Sequence, residues 1–224
     1  VILEPRLQGA GGMRVHSAEF LREVRALTAE HGVPLIADEV LTGFGRTGRL
    51  FACEHGPIAP DLLCLSKALT GGYLPLAVTL ASEEIYASFL STDRTRTLFH
   101  GHSYTGNALA CAVALESLAL FEEEDRLGRI VRLERLFAER LARLRSHPRV
   151  ASTRQLGGMA ALDLRPAGEG GYLDSLGPHL ASELLARDVL LRPLGDVLYF
   201  LPPYVISDEE AHGVFDVIEE VLER

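Results

Sequence analysis

Two stretches decide the fold of this chain: Leu35-Ile36-Ala37-Asp38-Glu39-Val40 and, further along, Leu62-Leu63-Cys64-Leu65-Ser66-Lys67. Each is a short apolar run that stops on a charged residue, Asp38 in the first and Lys67 in the second. A third run covers Leu76 to Leu80. Short apolar runs alternating with helical patterns indicate strands of a mostly parallel, helix-covered sheet. Ligands of such sheets bind beyond the carboxyl ends of the strands, which is where Asp38 and Lys67 fall.

Upstream of the first run, Ser17 is a candidate N-cap, and Phe20, Val24 and Leu27 recur at helical spacing until Gly32 and Pro34 end the pattern. The chain opens on Val1, without an initiator Met, in the apolar run Val1-Ile2-Leu3. That reads as a strand entered midway, so a fragment of a longer protein is expected. Downstream, a helix is expected from Asn107 through Phe121. A charged amphipathic helix follows, with Ile130, Leu133, Phe137, Leu141 and Leu144 on one face and its Arg and Glu residues on a solvated face. Strands are expected near Met159–Leu164, Val189–Arg192 and Val197–Leu201. A last helix opens at Ser207 with Glu210 three residues on, the capping-box pattern. Pro166 to Gly171 reads as a loop. The expected class is α/β, with residues 116–224 forming a second, smaller α/β domain after residues 1–115.

Bulk properties exclude other classes. A hydrophobic content of 47% and a charged content of 24% are those of an ordinary globular protein. A formal net charge of -9 argues against a nucleic-acid partner, which would need clustered cations to neutralise phosphates. No apolar run approaches the roughly 18 residues of a membrane span, and the N-terminus lacks a secretory signal, so a cytoplasmic setting is expected. Cys53, Cys64 and Cys111 form no CxxC pair, which fits reduced thiols better than a disulfide framework. Cys53 with His55, and the HxH of His100-Gly101-His102, lack further ligands at recognised metal spacing.

Among 22 Lys plus Arg there is one lysine, Lys67. It follows an apolar strand and precedes Ala68-Leu69-Thr70-Gly71-Gly72. Burial there would lower a lysine's pKa, and the free amine could attack a carbonyl to form a Schiff base. A surface lysine at a strand end is the competing reading. Asp38 at a neighbouring strand end would pair with a protonated pyridine nitrogen and keep the ring electron-withdrawing; a helix-cap or turn aspartate is its alternative. Gly43-Phe44-Gly45-Arg46-Thr47-Gly48 lacks dinucleotide or P-loop spacing and reads as a tight turn presenting Arg46. The hydroxyl and amides following His102 and Ser103 would suit a phosphate. Arg192, in an otherwise apolar strand, needs an anion: a substrate carboxylate or an internal Asp or Glu.

Three strings, LIADEVLTGFGRTG, APDLLCLSKALTGGYLPL and HGHSYTGNALAC, resemble the class III, fold-type I aminotransferases that use pyridoxal 5'-phosphate (PLP). The match runs essentially the length of the chain and corresponds to the C-terminal portion of that family. The resemblance implies the C-terminal half of a large, mainly parallel-sheet domain over residues 1–115 and a small C-terminal domain over 116–224. It implies that Lys67 carries PLP and shuttles a proton, that Asp38 contacts the pyridine nitrogen, and that Val40 packs on a ring face. Gly101 would line the substrate pocket, and His102 and Ser103 would reach the phosphate of the neighbouring subunit's cofactor in a homodimer. Arg192 would take a substrate carboxylate, with Tyr199 and Arg46 nearby. Within the class, QGAGGMRVH and RPLGDVLYFLPPYVI are most like the branch working in biotin biosynthesis. That branch moves an amino group from S-adenosylmethionine to 8-amino-7-oxononanoate, giving 7,8-diaminononanoate. The alternatives are a class III enzyme acting on ornithine, acetylornithine or 4-aminobutyrate, or a non-catalytic remnant. The portion of the family that cradles the phosphate and stacks an aromatic residue on the ring has no counterpart in this sequence.

Overall fold

The computed structural model describes residues 1–165 and 176–223, so the loop expected at Pro166–Gly171 lies outside the described residues. In chain order the strands among them are β1 (Ile2–Leu3), β2 (Leu7–Gln8), β3 (Arg14–Val15), β4 (Ile36–Asp38), β5 (Leu62–Leu65), β6 (Val78–Ala81), β7 (Val150–Leu156), β8 (Met159–Leu164) and β9 (Val197–Phe200). The α-helices are α1 (Ala18–Glu30), α2 (Glu83–Phe89), α3 (Ala108–Glu123), α4 (Arg126–Leu144), α5 (Leu176–Leu185) and α6 (Asp208–Leu222). Packing divides the chain into two compact units. The first holds Val1–Arg6, His16–Phe44 and Arg49–Asp125; the second holds Leu7–Val15, Gly45–Gly48 and Arg126–Arg224.

In the first unit the strand order is β1-β4-β5-β6. β1 pairs β4 and β4 pairs β5 in parallel, whereas β5 pairs β6 antiparallel, so the third apolar run closes the set in the opposite sense. Helix α1 begins where Ser17 Oγ accepts the Phe20 amide, as the N-cap pattern predicts. Its buried face differs from the expected one. Leu21 and Thr28 are buried, whereas Phe20 and Leu27 are 42% and 57% exposed, so the packed stripe runs one residue later around the helix. Arg25, on the same stripe, reaches Asp61 at 2.8 Å, and Asp61 in turn accepts the Leu35 amide at 2.7 Å. That carboxylate fixes the entry of β4. Phe44, Leu65, Leu69 and Ala114 form the small core beside the ends of β4 and β5.

The second unit is built on the three-stranded antiparallel sheet β7-β8-β9, covered by α4, α5 and α6. β8 and β9 match the expected runs. β7 is an unexpected strand, because Ser152, Thr153, Arg154 and Gln155 make it read as polar. Residues 189–193 form no strand; Val189 and Leu191 pack inward while Leu190 is 81% exposed, an alternating pattern that has no ladder partner among the described residues. The predicted apolar face of α4 is buried as expected and includes Phe137, which meets Phe200 and Phe215 at ring-centroid distances of 5.4 and 5.6 Å. Arg140 breaks the expectation of a solvated charged face. It is buried, donates to Asp216 at 2.6 Å and Glu219 at 3.0 Å, and lies over the Phe215 ring. Helix α6 opens with the reciprocal Ser207–Glu210 capping box.

Candidate functional site

β4 and β5 run side by side in parallel with Asp38 in register with Cys64, so Asp38 and Lys67 leave adjacent strand ends. Asp38 is half-buried, and its carboxylate accepts the Val40 amide at 3.1 Å. That bond turns the carboxylate back over the strand exit, and Val40 beside it is half-buried. Lys67 opens a short 3-10 turn over Lys67–Thr70 and has φ 49°, in the left-handed region that a non-glycine residue rarely occupies. Such a conformation costs on the order of 1–3 kcal/mol and persists only where its surroundings enforce it. Here Ser66 Oγ donates to the Leu76 carbonyl, Thr70 Oγ1 donates to the Leu74 carbonyl, and Ser117 Oγ donates to the Ala68 carbonyl, with Leu69 and Thr70 buried. The turn is thereby held while Lys67 itself is exposed, against the expectation of a buried lysine. Among the described residues its amine has no hydrogen-bond or ion-pair partner.

The residue between Asp38 and Val40 does not stand out from sequence. Glu39 is fully buried, and its carboxylate accepts the Ala52 amide at 2.7 Å, the Cys53 amide at 2.8 Å and the Thr42 hydroxyl at 3.0 Å. Burial pushes its carboxyl above the ordinary range, and the amides of Ala52 and Cys53 pull it back. Burial, with Glu39 alongside, pushes the Cys53 thiol far up, which removes thiolate character. The signal that could have exposed Glu39 is an acidic residue inside an apolar run with a hydroxyl residue three positions on.

Gly101, His102 and Ser103 lie in a fully exposed segment before α3. His102 Nδ1 accepts the Tyr104 amide at 3.1 Å, and its own amide donates to Thr105 Oγ1 at 3.0 Å. The amides at the helix start are not open as expected: Asn107 Oδ1 accepts those of Leu109 and Ala110 as the N-cap. Among the described residues no three His, Cys, Asp or Glu side chains cluster as a metal site would require.

In the second unit the turn of residues 45–48 is closed by the Gly48 amide on the Gly45 carbonyl at 2.8 Å. It lies against Gly157, where an added Cβ would sit 2.3 Å from the Gly48 nitrogen, so only glycine fits. Arg46 Nη1 donates to the carbonyls of Gly158 at 3.0 Å and Pro202 at 3.1 Å, and its guanidinium lies 4.5 Å from the Tyr204 ring centroid. Burial pulls its pKa down, the mark of a desolvated cation. Among the described residues Arg46 has no carboxylate partner. Tyr199 is half-buried in β9, opposite Ala161 of β8. Arg192 is exposed in the segment without regular structure, so the strand expected to carry it is absent. A cavity of this unit, about 760 Å³, contains none of these residues; its Arg154 is spent on Asp163 at 2.6 Å and on the carbonyls of Met13 and Gly12.

Comparison with known proteins gives a family to this arrangement of a lysine and an aspartate on adjacent parallel strand ends followed by a small antiparallel-sheet domain. The chain belongs to the class-III aminotransferases, whose family description matches residues 1–222. Among relatives, adenosylmethionine-8-amino-7-oxononanoate aminotransferase of Synechococcus elongatus is 48% identical over 224 residues, all of this chain and 52% of the relative. The protein of that name from Geobacter sulfurreducens is 44% identical over 99% of this chain and 50% of the relative. The solved structure of adenosylmethionine-8-amino-7-oxononanoate aminotransferase from Methanocaldococcus jannaschii superposes with a TM-score of 0.93 at 37% identity, covering 100% of this chain and 53% of that one. An amine transaminase from an uncultivated Pseudomonas species, solved with PLP bound, gives a TM-score of 0.90 at 34% identity, covering 100% of this chain and 51% of that one. The fold is that of the fold-type I transferases, and the chain spans about half the length of the relatives it matches.

Proposed function

We propose that this chain is the part of a biotin-pathway aminotransferase that carries its catalytic lysine, the complete protein moving an amino group from S-adenosylmethionine to 8-amino-7-oxononanoate. The observation that carries the reading is the pairing of β4 with β5, which sets Asp38 beside the strand that delivers Lys67. The identity of 48% to a relative bearing that activity's name supports the substrate assignment. In this reading residues 1–115 belong to the C-terminal half of the PLP-binding domain and the small domain follows them; packing differs from the expected boundary at 115/116, keeping all of α3 in the first unit, which runs to Asp125, and counting residues 7–15 and 45–48 with the second.

The residues present suit PLP: an exposed amine without an internal partner, a carboxylate aimed by a backbone amide, and an apolar residue next to it. When bound, PLP supplies an electron sink for the bond breaking at a substrate's Cα. Asp38 would hold the proton on the ring nitrogen, and Val40 would cover one ring face. The Lys67 amine would form the covalent link and then, released, take the Cα proton and return it on the far side of the amino transfer. Gly101 would line the substrate pocket, while His102 and Ser103 would serve the phosphate of the second subunit's cofactor. Arg192 would bind the substrate carboxylate through its planar fork, with Tyr199 and Arg46 bordering the same ligand.

A homodimer is part of the proposal. Phe99, Tyr104, Leu109 and Leu115 are 82%, 75%, 72% and 70% exposed, and α3 is apolar around much of its circumference, which supports a covering partner. A cytoplasmic setting fits a chain in which no described helix is long and apolar enough to cross a membrane.

Borohydride reduction of the complete protein loaded with PLP, followed by peptide mapping, tests the reading. The pyridoxyl group is expected on Lys67, and Lys67→Ala should abolish transamination. A label elsewhere in the sequence would overturn the assignment.

A further inference from the structure

We propose that Glu39 is a positioning residue: its buried carboxylate, gripped by donors from residues 42, 52 and 53, fixes the strand exit that aims the Asp38 carboxylate. The inference rests on the reading of Asp38 given above and extends it to a residue whose side chain is fully buried and whose carboxylate oxygens are taken up by internal donors.

Among the described residues the Asp38 carboxylate takes one hydrogen bond, from the Val40 amide two residues on. The chain between that donor and that acceptor runs through Glu39. Glu39 is anchored at three points. Its amide donates to the Cys64 carbonyl at 3.0 Å, extending the β4–β5 ladder beyond the strand. Its carbonyl accepts the Gly43 amide at 3.0 Å. Its side chain accepts from the Ala52 and Cys53 amides and the Thr42 hydroxyl. A fully buried charge costs folding free energy unless its acceptor capacity is filled, and here both oxygens are used. With Glu39 fixed, the peptide planes on either side of it are fixed, and with them the 38–40 hydrogen bond.

Glutamate is specified at this position by chemistry as well as shape. Oε1 faces the Cys53 amide and Oε2 the Ala52 amide, so both partners are backbone donors that cannot reverse. In Glu39→Gln either rotamer of the amide would turn an NH2 group toward a backbone N–H. One donor then loses its acceptor in a buried site, and the 52–53 turn and the strand exit must separate.

The test uses the complete protein with bound PLP carrying an isotopically labelled ring nitrogen. Nitrogen NMR reports whether that nitrogen is protonated, and activity is compared with ordinary PLP and with its N-methyl analogue, whose ring is permanently charged. Asp38→Asn and Glu39→Gln should both move the resonance toward the neutral form. Activity of Glu39→Gln should fall by up to about 100-fold, the scale for an ångström of misplacement. The N-methyl analogue should restore most of the loss in both variants. If Asp38→Asn moves the resonance and Glu39→Gln does not, Glu39 is a fold residue only and the inference is overturned while the reading of Asp38 stands. If neither variant moves it, the reading of Asp38 fails and the inference fails with it. Should Glu39→Gln not fold, Thr42→Val removes the one side-chain donor among the three donors to the Glu39 carboxylate at nearly constant volume and is held to the same resonance criterion.

Discussion

Gly157→Ala should destabilise the protein by about 2–5 kcal/mol. Gly157 sits at φ 52°, and an alanine Cβ built there would lie 2.3 Å from the Gly48 nitrogen, 2.4 Å from the Thr47 carbonyl carbon and 2.6 Å from the Arg46 oxygen. All three are backbone atoms, so no side chain can rotate aside. The left-handed conformation costs an alanine about 1–2 kcal/mol, and forcing packed backbone apart adds about 1–3 kcal/mol. The Gly158 amide bond to the Arg46 carbonyl, 3.0 Å long, would be stretched by the same movement. Gly213 supplies the control. It lies in α6 with no neighbouring atom within 4 Å of where an alanine Cβ would stand, so Gly213→Ala should stabilise by about 0.5–1 kcal/mol through helix propensity. Equilibrium urea unfolding of both variants measures the difference. A Gly157→Ala midpoint equal to that of the unsubstituted protein would refute the close approach of the 45–48 turn to the 157–158 turn.

If Arg192 holds the substrate carboxylate as proposed, Arg192→Ala in the complete protein should weaken 8-amino-7-oxononanoate by about 2–5 kcal/mol, the range for breaking a charge pair that the bound substrate desolvates. Stopped-flow measurement of the two half-reactions should find the S-adenosylmethionine step less affected; equal damage to both would refute the assignment of Arg192 to the oxononanoate carboxylate. Asp61 governs part of the acid limb. The Leu35 amide, and Arg25 after it, hold its carboxyl below the ordinary carboxylate value, so its contribution is present above the unfolded pKa of about 3.9 and is lost as pH falls through the lower folded value. Asp61→Asn should flatten the pH dependence of urea stability over that interval, and an unchanged acid limb would show that the Arg25–Asp61–Leu35 link carries no stability.

What is legible in the sequence follows from how locally each signal is written. Ser17 and the Ser207–Glu210 pair are self-contained capping signals, and both operate as read. The runs at 62–65 and 159–164 form strands at those residues because nearly every position in them is apolar and no competing period exists. β7 is invisible, since four central positions are polar and the strand depends on pairing with β8 rather than on its own burial. The segment at 189–193 is the converse: an alternating pattern with inward Val189 and Leu191, but no pairing strand among the described residues. Arg140 misleads for a related reason. It belongs to a helix rich in Arg and Glu, but its partners Asp216 and Glu219 come from α6, which no local window includes.

The candidate site divides along the same line. Asp38 stands out because a carboxylate ending an apolar strand is conspicuous, at the end of the sheet where ligands of such folds bind. Glu39, one residue later, reads as a second member of the same acidic pair, and the Thr42 hydroxyl three positions on is a faint local sign of its different surroundings. In a strand successive side chains face opposite ways. Burial therefore separates them: Asp38 remains half-buried at the strand end while Glu39 is taken fully into the protein, where the Ala52 and Cys53 amides complete it. Those two donors become adjacent to Glu39 only when the chain turns back through residues 43–51. A charge buried at that cost, immediately beside the residue assigned to the ring nitrogen, fits a part in holding the strand exit: an apolar residue of similar size would escape the desolvation cost but leave the Ala52 and Cys53 amides without acceptors, and residue 39 would no longer be tied to the 52–53 turn.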